Sequence, residues 1–253
     1  MILIIRHKNS DKEFKTKLDK NNFNYLYQPV LKFNYLKKKI NSSENKIFII
    51  ASIHAVKAIR LQKREHLNLM KEANFIVIGK KVNEALIKLG FKKIVKSFDT
   101  SLCLLRFINR NKLYKKKKFE YLCGSVVNEE FVTEMKKKKF FLRKKIIYKT
   151  EPISRLSSKS QVALGNKNIK VILFYSVYSA KVFFGLMRKY DLLSFLSKEV
   201  KYLCFSKRIA IHISKYKLVI NQNIRSIKSP DSELLLQSVK KIISSSSRRV
   251  KKG

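Results

Sequence analysis

The sequence predicts an α/β protein with parallel sheets, organised as two domains. Three observations carry this. Unbroken apolar runs recur, as in Ile47-Phe48-Ile49-Ile50 and Val171-Ile172-Leu173-Phe174, and such runs suit short strands buried on both faces. Each of these two runs is followed, after one residue, by a serine and then by a helical continuation: Ser52 before Ile53, Val56 and Ile59, Ser176 before Val177 to Phe183. Strand, tight turn and helix in series imply right-handed crossovers, hence a parallel sheet with helices on both faces. Third, the order of units repeats. A Ser52 unit, a Gly79 turn, a strand after Gly90 and a helix start at Thr100-Ser101 are followed by a Ser176 unit, a Ser206 turn, a strand at Lys217 and a helix start at Asp231-Ser232.

Taken in order, Ile2–Ile5 is a first buried strand. Ser10-Asp11-Lys12-Glu13 has the form of a capping box, with Phe14 and Leu18 one turn apart behind it. Phe23–Tyr27 is a second strand, and Pro29 keeps the chain extended beyond it. Val30, Leu31, Phe33 and Tyr35 form a mixed pattern suited to a linker strand. Lys46–Ile50 is the next strand, with Ser52 as a helix N-cap. Asn74–Ile78 is a strand closed by Gly79, where a positive φ or a ligand's close approach is permitted. Val82, Ala85, Leu86 and Leu89 line a helix with Gly90 as its C′ residue. A short strand over Phe91–Val95 precedes a helix opened by Phe98-Asp99-Thr100-Ser101, with Leu102, Leu105, Phe107 and Ile108 as its apolar positions. Phe119–Cys123 is a strand ending on Gly124, Asn128 caps a helix over Glu129–Lys138, and Phe140–Tyr148 returns as strand, interrupted by Pro152. Val171–Ser176 and Val200–Phe205 are further strands. Ile209, Ile211 and Ile213 fit either period. Lys217–Ile220 reads as strand, Ser229-Pro230-Asp231-Ser232 as a helix start with Leu234, Leu235, Val239 and Ile242 behind it, and Ser244–Gly253 as a frayed basic tail.

With 253 residues and 45% hydrophobic content, a packed core is within reach. Lys and Arg number 58 against 17 Asp and Glu, a formal net charge of +41. Lysines are spread through every segment, and Gly, Pro and Trp are scarce, so most of the charge reads as codon drift in an AT-rich genome. The other source is a polyanionic partner: nucleic acid, an acidic membrane or a multiply charged substrate. Runs such as Lys115–Lys118 and Lys136–Lys139 suit solvated surface. Cys103, Cys123 and Cys204 lack metal-ligand or disulfide-framework spacing and read as small hydrophobes. Met1–Arg6 is too short an apolar run for a signal peptide, and no run reaches the length of a membrane span, so the expected compartment is the cytoplasm. His7, His54, His66 and His212 form no catalytic triad legible in sequence, and His54 is expected on a helix surface. No HExxH, GxGxxG, P-loop or GxSxG motif occurs.

The order and spacing of several stretches resemble the uroporphyrinogen-III synthase family. They are Ile2-Leu3-Ile4-Ile5-Arg6, Pro29, Phe48-Ile49-Ile50-Ala51-Ser52-Ile53-His54-Ala55-Val56, Ile78-Gly79, Leu89-Gly90-Phe91, Leu122-Cys123-Gly124, Ile147-Tyr148-Lys149-Thr150, Phe174-Tyr175-Ser176 and Ser229-Pro230-Asp231-Ser232. The resemblance spans about the whole length and implies two flavodoxin-like α/β domains joined by a two-stranded linker. One is discontinuous, 1–33 with 153–253; the other covers 38–148, with 34–37 and 149–152 as linker strands. It implies cyclisation of hydroxymethylbilane to uroporphyrinogen III with inversion of the last pyrrole ring and loss of water, by a cyclising hydro-lyase that needs no cofactor and no metal. The implied partner is that acidic linear tetrapyrrole, with no specific nucleic acid, no membrane and a monomeric chain.

Such a substrate needs cations and helix-start N–H groups for its carboxylates. The candidates are Arg6, Ser52, Gly79, Lys80, Lys81, Ser176, Ser206, Lys207 and Arg208, all expected at strand ends. Tyr148 matches the family tyrosine proposed to help the hydroxyl leave as water; an amphipathic linker tyrosine accounts for it equally well. For Ser52 and Ser176, N-capping alone is an equal account. The turns Gly79-Lys80-Lys81-Val82 and Ser206-Lys207-Arg208-Ile209 lack the family's threonine, and no arginine follows Gly124, so a catalytically decayed member is an alternative. Two readings from other classes are a basic nucleic-acid-binding protein, for which no helix-turn-helix, RNP or zinc-finger pattern appears, and a two-domain solute binder.

Overall fold

The structure, a computed structural model, describes residues 1–41, 45–196, 199–227 and 232–250, with side chains throughout except at 9 and 245–250. The chain divides into two compact units, Met1–Lys32 with Pro152–Gly253, and Phe33–Glu151. In chain order the first unit opens with β1 (Ile2–Ile5), α1 (Lys12–Lys20) and β2 (Tyr25–Tyr27). The second unit follows through β3 (Leu31–Tyr35), β4 (Lys46–Ile50), α2 (Ile53–Arg60), α3 (Arg64–Lys71), β5 (Asn74–Ile78), α4 (Lys80–Lys88), β6 (Ile94–Phe98), α5 (Ser101–Arg110), β7 (Lys118–Gly124), α6 (Glu129–Lys137) and β8 (Phe141–Pro152). The first unit is completed by α7 (Ser158–Gly165), β9 (Val171–Phe174), α8 (Val177–Lys189), β10 (Lys201–Cys204), α9 (Lys207–Ser214), β11 (Ile224–Ser226) and α10 (Ser232–Val250).

Unit one holds a five-stranded sheet ordered β11-β10-β9-β1-β2, and every neighbouring pair in it is parallel. Unit two is built on a six-stranded sheet, β3-β8-β7-β4-β5-β6, parallel from β8 to β6. Its β3 runs antiparallel to β8: the Leu36 N–H donates to the Ile147 carbonyl, and the Ile153 N–H donates to the Val30 carbonyl. Both passages of the chain from one unit to the other lie in these two strands.

The apolar runs behave as the physics of a covered sheet requires. Along β4, Phe48 and Ile50 enter one core cluster with Phe75, Leu86 and Tyr148, while Ile47 and Ile49 enter another with Leu104, Phe119 and Met135. Along β1, Leu3 and Ile5 face Phe174, Phe183 and Met187, while Ile2 and Ile4 face Phe14, Leu18 and Leu235. Side chains alternate across a strand, so a run apolar at every position needs helices on both faces. Full burial of each such side chain contributes roughly 1.5–3 kcal/mol.

Several local expectations are corrected. The N-cap of α1 is Asp11, not Ser10; its carboxylate accepts from the Phe14 N–H at 3.4 Å. The strand expected over Phe91–Val95 begins only at Ile94. Phe91 is taken by the helix end before it: its N–H donates to the Leu86 carbonyl and the Gly90 N–H to that of Ile87, a Schellman motif with Gly90 at φ +87. On α5 the buried face is Leu104, Leu105 and Ile108, and Leu102 lies in solvent. Asn128 stands at the α6 N-cap without a side-chain cap hydrogen bond. Strand β8 continues to Pro152 rather than stopping at Tyr148, because its partner β3 extends the pairing. Lys217–Ile220 is not a strand; the Val219 N–H turns back to the Tyr216 carbonyl, and Val219 is buried there. On α10, Leu236 replaces Leu234 in the core, and the helix runs to Val250 instead of fraying from Ser244. The expected cap residues 229–231 lie outside the described residues. Helix α3 was not legible, since of its residues only Met70 is buried.

Candidate active site

In each sheet the strand connections reverse direction at one point, which is where open parallel sheets leave a crevice beyond their carboxyl ends. In unit two that point lies between β4 and β7. Ser52 follows β4 and Gly124 ends β7. Ser52 is the N-cap of α2 in extended backbone, and its hydroxyl accepts from the His54 N–H at 3.1 Å. A cap of this kind contributes about 1 kcal/mol.

Tyr148 reaches the same place from β8. It is 6% exposed, and its hydroxyl donates to Ser52 Oγ at 3.0 Å. Register brings Tyr148 opposite Gly124, after an irregularity between Cys123 and Gly124. The ring lies against the Gly124 backbone so closely that a Cβ on residue 124 would stand 2.9 Å from the phenol oxygen and nearer still to the ring carbons. Glycine is required here by the close approach of a ring. Burial raises the pKa of Tyr148, while hydrogen bonding to the Ser52 hydroxyl and the Gly124 backbone pulls it back. The proton is therefore held at neutral pH, with two polar groups poised to stabilise the phenolate when it leaves.

His54 is not a bare helix-surface residue. Its ring stacks on Phe33 with centroids 3.5 Å apart and planes 13° from parallel, and its Nδ1 is 2.9 Å from the Tyr35 hydroxyl. The His54 and Tyr148 rings are 5.8 Å apart. Phe33 and Tyr35 alternate along β3, and that period-two pattern was the available signal; nothing local linked them to residue 54 some twenty positions on. Gly79 caps α4 at φ +102, its N–H bound to the Phe98 carbonyl at 2.7 Å. Lys80 and Lys81 follow on the first turn of α4, both exposed, at the end of the strand beside β4.

In unit one the reversal lies between β1 and β9. Arg6 follows β1. Its guanidinium stands 4.2 Å over the Tyr175 ring and 3.4 Å from the buried Asp11 carboxylate. The Tyr175 hydroxyl lies 3.5 Å from the same carboxylate, and burial raises the Tyr175 pKa. Ser176 caps α8, accepting from the Ser179 N–H at 3.0 Å and donating to Ser179 Oγ at 2.8 Å. Ser206 caps α9, accepting from the Ile209 N–H at 3.4 Å, and Lys207 and Arg208 are exposed on that first turn. The structure thus brings Tyr148 and Ser52 into direct contact. It sets Gly79, Lys80 and Lys81 on the strand end next to Ser52, and collects Arg6, Ser176, Ser206, Lys207 and Arg208 on three adjacent strand ends of unit one. Among the described residues no group of three or more His, Cys, Asp or Glu side chains could hold a metal ion, and no helix is long and apolar enough to cross a membrane.

The family model described as uroporphyrinogen-III synthase HemD matches residues 12–222, more than half of the chain. The chain belongs to the uroporphyrinogen-III synthase family. No curated protein matches the sequence. Among solved structures, uroporphyrinogen-III synthetase from Helicobacter pylori is similar at 15% identity and a TM-score of 0.69, covering 95% of this chain and 98% of that one. A mutant uroporphyrinogen III synthase from the extremely thermophilic bacterium Thermus thermophilus is similar at 16% identity and a TM-score of 0.57, covering 96% and 98%. At these identities the likeness is one of fold. Family membership gives the chain its function in tetrapyrrole synthesis: a lyase-type enzyme acting on a linear tetrapyrrole.

Proposed function

We propose that the chain is a cyclising hydro-lyase that converts hydroxymethylbilane to uroporphyrinogen III, with Tyr148 as the acid at the leaving hydroxyl. The observation that carries this reading is the hydrogen bond from Tyr148 to Ser52 Oγ at 3.0 Å, beside the sheet's reversal point. The C–O bond of the terminal hydroxymethyl group breaks as the Tyr148 proton passes to the departing oxygen, which leaves as water. Electrons from the neighbouring pyrrole nitrogen support the cation left behind. The phenolate is stabilised by the Ser52 hydroxyl, now turned donor, and by the Gly124 backbone. The new carbon–carbon bond forms at the bridge-bearing carbon of the last pyrrole. The old bridge bond at that carbon then breaks and re-forms at the ring's free α-carbon, which inverts the ring and closes the macrocycle, and the proton lost from that carbon as the ring regains its aromaticity restores Tyr148. Arg6, Ser52, Gly79, Lys80, Lys81, Ser176, Ser206, Lys207 and Arg208 take the substrate's carboxylates through charge and through helix-start N–H groups. The enzyme works as a monomer in the cytoplasm, without specific nucleic acid; its three thiols, free in the structure, suit a reducing compartment.

The test is product identity. The purified chain, supplied with freshly generated hydroxymethylbilane, is expected to yield the type III isomer. Type I alone, the product of unassisted closure, would remove the reading.

A further inference from the structure

We infer that His54 is a positioning residue: clamped by Phe33 and Tyr35, it fixes the Ser52 hydroxyl that accepts the Tyr148 hydrogen bond. This inference rests on the proposed role of Tyr148.

The chain of contacts is continuous and lies wholly within unit two. Phe33 and Tyr35 project from β3 onto the His54 ring, one by stacking at 3.5 Å and the other by a hydrogen bond of 2.9 Å to Nδ1. The Tyr35 hydroxyl, kept protonated by burial, can donate to Nδ1 of the imidazole that carries its proton on Nε2, and in that tautomer it holds the ring in one orientation. The ring so fixed belongs to the second residue of α2, whose backbone N–H donates to Ser52 Oγ. A serine hydroxyl has two acceptor lone pairs and one proton. One lone pair takes the His54 N–H and the other the Tyr148 O–H. The Ser52 proton is then directed away from both, and the Tyr148 proton has one acceptor direction among its neighbours here. Phe33, at 6.2 Å from the Tyr148 ring, and His54, at 5.8 Å, also wall the phenol.

Nothing in this arrangement is needed to build the sheet. The clamp's consequence falls on the hydroxyl pair and hence on the chemical step more than on substrate affinity.

The experiment uses the full chain and three variants. His54→Phe keeps a stacking ring and removes the acceptor. Tyr35→Phe removes only the donor hydroxyl and serves if His54→Phe fails to fold. His54→Asn restores an acceptor where Nδ1 stood. His54→Phe and Tyr35→Phe are each expected to lower kcat about tenfold with KM within about twofold, and His54→Asn to recover most of the loss. The Tyr148 resonance, followed with 13Cζ-labelled tyrosine and assigned by its absence in Tyr148→Phe, is expected to titrate at higher pH in both clamp variants. An unchanged Tyr148 titration in both overturns the clamp, whatever the turnover. So does an unchanged kcat in an enzyme that makes type III product. A wild-type chain giving type I alone would instead fail the catalytic reading, and the titration would still judge the clamp.

Discussion

The two units use one sheet order to present different chemistry. Counted along the chain, the strands of unit one stand 2-1-3-4-5 across its sheet; the five parallel strands of unit two give the same order when counted from β7 instead of β4, with β3 added at the edge. Ser52 and Ser176 are then counterparts, each the cap at the reversal point. What differs is the residue beside each cap. In unit two Gly124 admits the Tyr148 ring, so neutral hydroxyls and aromatic rings meet. In unit one Tyr175 fills the place of Ala51 and carries the Arg6 guanidinium on its face. On the proposed reading, unit two delivers a proton while unit one holds negative charge. A crevice supplied by topology is only an address; the side chains set around it decide its chemistry.

The largest effect expected from breaking this contrast is at Tyr148. Tyr148→Phe keeps the ring and loses the proton, and type III formation is expected to fall by roughly 10²-fold or more at unchanged thermal stability. A coupled isomer assay reads it, and an unaltered rate would take Tyr148 out of the chemistry. Next, Arg6→Gln removes the charge of unit one while retaining donors. KM is expected to rise about tenfold with kcat nearly constant, the size of one charge-assisted hydrogen bond. A fall in kcat alone would contradict the assignment of charge-holding to unit one. Third, Gly124→Ala forces a methyl into the Tyr148 ring, which is buried and has little room to yield. Urea unfolding is expected to show a loss of about 1–3 kcal/mol, accompanied by reduced turnover. An equally stable variant would mean that the ring moves without cost.

The smallest effect is shared by both units and is alkaline. Burial pushes the Tyr27 hydroxyl and the Cys204 thiol up to about 12 and the Cys123 thiol up to about 11. In the folded chain these groups keep protons that the unfolded chain, with ordinary values of 9.0 for the thiols and 10.0 for tyrosine, has already lost. The folded state therefore binds more protons, and stability falls as pH rises. Thermal melts are expected to decline progressively from pH 9.0 toward about pH 12. A flat profile to pH 12 would show these groups to be solvated.

Much of this was legible because local chemistry and burial agree. The four-residue runs at Ile2 and Val171 admit no reading but a doubly covered strand. Ser52, Ser176 and Thr100 cap helices because a short hydroxyl side chain does so wherever a helix starts. Where two local signals competed, reading failed. Phe91 has the hydrophobicity of a strand residue but closes a Schellman motif, and Asp11 outdoes Ser10 as a cap while bound to Arg6. Of the site, the positions of Ser52 and Gly79 could be read from strand ends. The company Tyr148 keeps could not, because Ser52, Gly124 and Phe33 come from separate strands and share no sequence pattern.

By itself, the sequence determined the alternation of buried strands and capped helices, since period, capping and apolar runs act over a few residues. It also set the cationic excess, which is a matter of composition. Tertiary structure alone decided that a phenol would meet a serine across a glycine and that a histidine would be clamped by a neighbouring strand. Those contacts depend on strand register and on which strands become neighbours, and both are settled by the burial of the whole sheet rather than by any one segment.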